Sequence, residues 1–277
     1  MTDEEVIKTT LRNGVYTLTF NRPEAMNAMN HLMGIRVREA IGLAARDPEV
    51  RVVILTGAGR AFSAGGDMKG SSKADPKDPV AAQYGDDPRS YPPEVLRDRL
   101  MDTVLKYDLL RTMPKPTIAM VNGPAVGAGM SVALACDFRI CSEAAYFNTT
   151  YAALGLSGDV GISFHLTNAV GPAKARELLF FPRKINAEEA LRVGLVTKVV
   201  SPASLLDETM AMANQLAQGP TLAFGHLKGN IIAALELGPH AAFDIEARNF
   251  ARCAETADHR ESVAAFKEKR QPVFRGR

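Results

Sequence analysis

Polar and apolar positions alternate over Val15-Tyr16-Thr17-Leu18-Thr19-Phe20, which predicts a half-buried strand. Asn21-Arg22-Pro23-Glu24 ends it, and a helical pattern follows over about 26–46. Arg51-Val52-Val53-Ile54-Leu55-Thr56 is apolar at consecutive positions, the pattern of a strand covered on both faces. Residues 70–93 hold Pro76, Pro79, Pro88, Pro92 and Pro93 among Asp, Lys and Ser, and predict a loop or lid. Helix resumes over about 94–112, and Pro116-Thr117-Ile118-Ala119-Met120-Val121 is the next strand. It enters a Gly/Ala-rich turn at 122–129 and then a small-residue helix to Ala135, followed by a short strand at Phe138-Arg139-Ile140-Cys141. Helices are expected at about 160–169, 173–181, 187–193, 203–218, 221–237 and 240–269, with a late strand at 195–200. Alternating strands and helices followed by helices alone predict an α/β core over 1–200 and a helical module over 201–277.

With 277 residues, 46% of them hydrophobic and 23% charged, the chain can bury a large core without staples. A net charge of +2 argues against a nucleic-acid partner. The C-terminal run of Lys267, Lys269, Arg270, Arg275 and Arg277 reads either as a solvated tail or as an anion site. Cys136, Cys141 and Cys253 form an odd set without a CxxC pair, which points to a reducing compartment and to no zinc cluster. The N-terminus lacks a signal pattern, and no apolar run is long enough to span a membrane. A soluble cytoplasmic protein is expected.

Three runs carry candidate chemistry. Ala61-Phe62-Ser63-Ala64-Gly65-Gly66-Asp67-Met68-Lys69 is either a tight turn or a place where backbone N–H groups meet a ligand, and it is no P-loop. Asn122 to Gly129 leads a strand into a helix N-terminus, which can hold an oxyanion or phosphate; the alternative is close packing of a small-residue helix. Its glycines do not spell GxGxxG, which disfavours a dinucleotide fold. In Ser157-Gly158-Asp159-Val160-Gly161, Asp159 reads as a helix N-cap, as a catalytic carboxylate, or as both. His31, His165, His226, His240 and His259 are scattered, so no metal site is expected.

Taken in order, N-R-P-E-A-M-N-A-M (21–29), A-F-S-A-G-G-D-M-K (61–69), P-K-P-T-I-A-M-V-N-G-P-A-V-G-A-G (114–129) and A-E-E-A-L-R-V-G-L-V (187–196) resemble the enoyl-CoA hydratase/isomerase, or crotonase, superfamily over nearly the whole chain. The resemblance implies a crotonase-like spiral of ββα turns with a C-terminal helical trimerisation module. It implies an acyl-CoA thioester substrate, coenzyme A entering only as part of it, and a homotrimer or hexamer. Two backbone N–H groups would polarise the thioester carbonyl, at Gly66 and Ala128. Coenzyme A contacts would fall on Ala25, Met26, Ala64, Asp67 and Met68, with Phe266 and Lys269 reaching a neighbouring subunit's coenzyme. Glu24 stands where the family often has lysine, which puts one such contact in doubt.

The two glutamates of the hydratase branch map to Ser131 and Tyr151, neither a carboxylate. Hydration needs one group to take a proton from water and another to deliver one to carbon. A phenol, titrating near ~10 when unperturbed, serves poorly. Asp159 falls where several branches carry an active-site aspartate, among them dienoyl-CoA isomerases, epoxyphenylacetyl-CoA isomerases and 4-chlorobenzoyl-CoA dehalogenases. The tail at 258–277 looks most like the epoxyphenylacetyl-CoA isomerases. Residues 70–98 lack the dehalogenase histidine. The expectation is therefore an acyl-CoA isomerase working through a thioester enolate, with Asp159 moving the proton and Ser131 and Tyr151 shaping the pocket. The alternatives are a hydratase that activates water with other groups, a non-catalytic CoA-thioester binding protein, and an oligomeric scaffold.

Overall fold

A computed structural model describes residues 5–67, 79–85 and 90–276. The strands are β1 Ile7–Arg12, β2 Val15–Phe20, β3 Val52–Gly57, β4 Thr117–Val121, β5 Ala125–Val126, β6 Phe138–Ser142, β7 Tyr146–Asn148, β8 Ile185–Asn186 and β9 Lys198–Val200. The α-helices are α1 His31–Arg46, α2 Pro79–Tyr84, α3 Pro93–Thr112, α4 Ala128–Ala135, α5 Ile162–Phe180, α6 Ala187–Arg192, α7 Leu205–Ala217, α8 Thr221–Glu236, α9 Pro239–Ala254 and α10 Ala257–Glu268. The expected α/β class is borne out.

One sheet runs β1-β2-β3-β4-β6-β9 and a smaller one β5-β7-β8. From β2 to β9 every neighbour in the large sheet is parallel. That explains β3, whose six residues are all buried: helices cover both faces. Leu18, Phe20, Val53 and Leu55 face a core closed by α1, α3, α4 and α5. Val52, Ile54, Ile118 and Ile140 face the other way, onto Leu205, Ala213 and Ala217 of α7.

Four elements differ from expectation, and three of the differences have physical causes. β1 is an additional strand; five of its six residues are exposed, so it shows no apolar alternation. Its signal is the Asn13-Gly14 pair, both left-handed, which closes the hairpin to β2. α1 begins at His31 rather than near 26, because Met26 and Asn27 are left-handed and Asn30 caps the helix by accepting from Met33 N at 2.9 Å. Part of the expected 70–93 loop is helical, as α2. The expected helix over 240–269 breaks at Glu255-Thr256, where the Thr256 hydroxyl accepts from His259 N at 3.0 Å and starts α10.

The small sheet brings the glycine-rich runs together. Two isolated parallel bridges, Met29 to Gly66 and Ser63 to Ala125, string segments 29, 63–66 and 125 side by side at its edge. Asn27, fully buried, locks this arrangement. Its amide donates to Ala58 O at 2.9 Å and Ala61 O at 2.8 Å, and its Oδ1 accepts from Arg22 N at 2.9 Å.

Candidate active site

The 61–67 and 122–129 runs touch through their glycines. A Cβ on Gly65, whose φ is +89°, would lie 2.7 Å from Val126 O and 3.3 Å from Ala128 N. One on Gly129 would lie 2.4 Å from Ser63 O. Only glycine permits this approach. The bridge to Met29 uses the Gly65 carbonyl (from Met29 N, 2.7 Å) and the Asp67 N–H (to Met29 O, 3.1 Å). The Gly66 N–H therefore points away from Met29, and a side chain there would meet open space. Ala128 is the first residue of α4, where the N–H has no partner inside the helix. Among the described residues neither N–H finds an acceptor. α4 also presents the positive end of its dipole here.

Ser131, one turn along α4 and fully buried, links this corner to Asp159. Its hydroxyl lies 3.3 Å from Gly127 O, 3.3 Å from the Tyr151 hydroxyl and 3.4 Å from Asp159 O. The Tyr151 hydroxyl donates to Asp159 Oδ1 in a very short hydrogen bond. Asp159 is not the cap of α5. That position falls on Gly161, and no side chain caps the helix; the Asp159 carbonyl, not its carboxylate, meets the first turn at Ile162 N, 3.0 Å away. Of the two roles open to Asp159, the cap is overturned.

Burial raises the proton affinity of the Asp159 carboxyl, and the Tyr151 hydrogen bond opposes that rise. The Tyr151 phenol is held well above its ordinary range by burial and by the Asp159 charge. The Tyr107 phenol of α3 is raised by burial first and by the Asp159 charge second. Both tyrosines are thus neutral donors across the physiological range. Tyr107, whose hydroxyl reaches Met29 Sδ at 3.4 Å, was not singled out from the sequence. Nothing in the spacing of α3 marks it.

The remaining expected positions divide. Met26 O accepts from Ala64 N at 2.9 Å, so Ala25, Met26 and Ala64 share one wall. Asp67 pairs with Arg22 at 2.9 Å, and Arg22 also donates to Ala28 O at 2.6 Å, which ties the first two motifs together. Met68 lies outside the described residues. Phe266 is 84% exposed, and Lys269 ends α10 in a left-handed conformation. Among the described residues no hydrogen bond or ion pair joins either to the Asp159 site. Arg270 in the basic run is taken up by Glu261 (2.5 and 3.0 Å) and Glu268 (2.6 Å).

A separate cavity of about 480 Å³ lies between β6, α5 and α8. It is lined by Phe164, Leu227, Ile231 and Leu235; of its charged groups Lys228 pairs with Asp137 at 2.7 Å and Arg111 with Glu236 at 2.6 Å, while Arg139 donates to Leu195 O and Cys136 O. None of Gly66, Ala128, Tyr151 and Asp159 lines it. His165, on its wall, is 8% exposed, and burial pulls its pKa down to about 4. On acidification the unfolded chain takes up this proton first, near 6.5. Stability from this group is therefore complete above ~6.5 and declines as pH falls toward 4, by up to about 3 kcal/mol. The urea midpoint of the native protein is expected to drop between pH 7 and pH 4.5 by more than that of His165→Gln; equal drops would remove His165 as the cause.

A family model described as enoyl-CoA hydratase/isomerase matches residues 10–89 and 95–277. The chain belongs to the enoyl-CoA hydratase/isomerase family. The 1,2-epoxyphenylacetyl-CoA isomerase of Escherichia coli K12 is 36% identical to this family member, over 99% of each chain. The crotonyl-CoA hydratase of Syntrophomonas wolfei is 35% identical, over 93% of each. The crystal structure of an enoyl-CoA hydratase from Polaromonas sp. JS666 superposes with a TM-score of 0.85 at 34% identity, covering 97% of this chain and 99% of that one. The crotonase-like fold and an acyl-CoA thioester substrate follow from membership, as does hydratase/isomerase chemistry. Near-equal identity to an isomerase and to a hydratase leaves the choice between them to the site itself. Among the described residues no helix is long and apolar enough to cross a membrane.

Proposed function

We propose that this family member is an acyl-CoA isomerase that works through a thioester enolate. One observation carries the choice: Asp159 is a buried carboxylate joined to Tyr151 and Ser131, the two residues that the family resemblance sets at the hydratase glutamate positions. Hydration asks for two groups acting on water and on carbon; a 1,3-proton shift asks for one base that removes a proton and returns it. Gly66 and Ala128 N–H hold the enolate oxygen, helped by the α4 dipole. Asp159 takes the proton from the carbon beside the thioester and delivers it two carbons further along. The coenzyme lies along Ala25, Met26, Ala64, Asp67 and Met68.

The test is turnover of trans-3-hexenoyl-CoA and of crotonyl-CoA in H2 18O. Conversion of the first to the 2-enoyl thioester, with little label entering either product, supports the isomerase. Efficient hydration of crotonyl-CoA overturns it. Binding of both thioesters without turnover favours a non-catalytic binding protein.

The chain assembles as a trimer or a dimer of trimers, with Phe266 and Lys269 completing a neighbour's coenzyme site. Leu227, Ile231 and Leu235 of α8 and Phe243 and Phe250 of α9 are all more than half exposed, an apolar surface that closed symmetry would cover. Light scattering is expected to give a mass three or six times that of one chain; a monomer at micromolar concentration rules the assembly out.

A further inference from the structure

The turn that carries Asp159 is held against its own backbone preferences. Gly158, Val160 and Gly161 all have positive φ, at 122°, 46° and 69°. For a buried β-branched residue such as Val160 this is a strained conformation, which persists only where its surroundings hold it. Those surroundings are specific. Ile162 N and the Ser131 hydroxyl both approach the Asp159 carbonyl, at 3.0 and 3.4 Å. The Tyr151 hydroxyl, presented by a 3-10 turn over Tyr151–Leu154 with left-handed residues at both ends, seizes Oδ1. Oδ2 accepts no hydrogen bond among the described residues.

We propose that Tyr151 is a positioning residue for the base: its hydroxyl pins Oδ1 of Asp159, so that Oδ2 is the oxygen that takes and returns the substrate proton. This rests on the reading of Asp159 as the base. Because the phenol proton goes to Asp159, the Ser131 hydroxyl is the donor to the phenol oxygen, 3.3 Å away. The hydrogen bond also sets the basicity of Asp159. A donor to a carboxylate favours its ionised form, and here it works against burial. Among the described residues, Tyr151 touches the carboxylate, and Tyr107 of α3 feels its charge without a hydrogen bond to it. On α5, His165 interacts with Asp108, Arg111 and Arg139 instead. A change confined to the Tyr151 hydroxyl is therefore read through Asp159.

The experiment is the pH profile of kcat with trans-3-hexenoyl-CoA for the native protein, Tyr151→Phe, Tyr151→difluorotyrosine and Asp159→Asn. Tyr151→Phe is expected to lose about tenfold in kcat, part of the contribution of a placed base, with KM unchanged. Its acid limb moves to higher pH, because the carboxylate has lost a donor. Tyr151→difluorotyrosine has a more acidic hydroxyl and a stronger hydrogen bond, so its acid limb moves to lower pH. It also decides the matter if the phenylalanine variant does not fold. Opposite shifts are not expected of a side chain that only fills space. Should both variants keep the native limb while Asp159→Asn is inactive, Tyr151 has no positioning role and the base assignment stands. If Asp159→Asn turns over normally, the base assignment itself fails and the role of Tyr151 falls with it.

Discussion

Asp159→Asn is expected to lower turnover by at least about a hundredfold, the lower end for a general base. Its melting temperature at pH 7 should be unchanged or higher. Asparagine keeps an oxygen to accept the Tyr151 hydroxyl, and the Asp159 carbonyl contacts do not involve the side chain. Burial disfavours the ionised carboxylate. A carboxyl whose folded pKa lies above its unfolded one contributes stability at low pH and loses it as pH rises through the folded value. A neutral amide removes that cost at pH 7. Calorimetry and steady-state rates on the same preparation check both halves. Near-native isomerisation by this variant would refute the base assignment, and a large loss of stability would mean that the carboxylate is structural.

Much of the frame was legible because it depends on local patterns. The consecutive apolar run at 52–56 requires two covered faces, and β3 has them. The break between the helices expected at 160–169 and 173–181 is present inside α5 at Gly171-Pro172. The glycine-rich runs signalled backbone approach, and Gly65 and Gly129 make it. What the pattern could not show is how side chains meet across turns. Tyr151 and Asp159 are eight residues apart, and the chain between them turns through positive φ at Gly155 and Gly158, with Thr150, Val160 and Gly161 also at positive φ on its flanks. Valine has no preference for that region, so no propensity announces the turn. The N-cap reading of Asp159 failed for the same reason: a helix start preceded by Gly-Asp-Val-Gly looks capped until Gly161 takes the position. Asn27 was hidden differently. It sits in a recognisable motif, but its value comes from carbonyls more than thirty residues away, at Ala58 and Ala61.

Ala128→Pro is expected to cost about 10²–10³ in kcat, or about 2.7–4 kcal/mol of transition-state stabilisation, while the fold survives. Proline is well suited to the first position of a helix, where its fixed φ is helical and no intrahelical bond uses the N–H. Ala128 holds that position in α4, and its N–H has no acceptor among the described residues. The substitution thus removes one donor from the enolate pocket and little else from the helix. The ring adds a carbon where the proton was, beside Gly65, so some loss of thioester affinity accompanies the loss of rate. Ala128→Ser separates the two effects, since it enlarges the side chain and keeps the donor; it should retain kcat within a fewfold. Circular dichroism and the melting temperature establish that the proline variant is folded, and kcat measured at saturating thioester removes the affinity term. A folded Ala128→Pro protein with native kcat would show that the enolate oxygen is held elsewhere, and Gly66 with its open surroundings would then have to be tested as the sole donor.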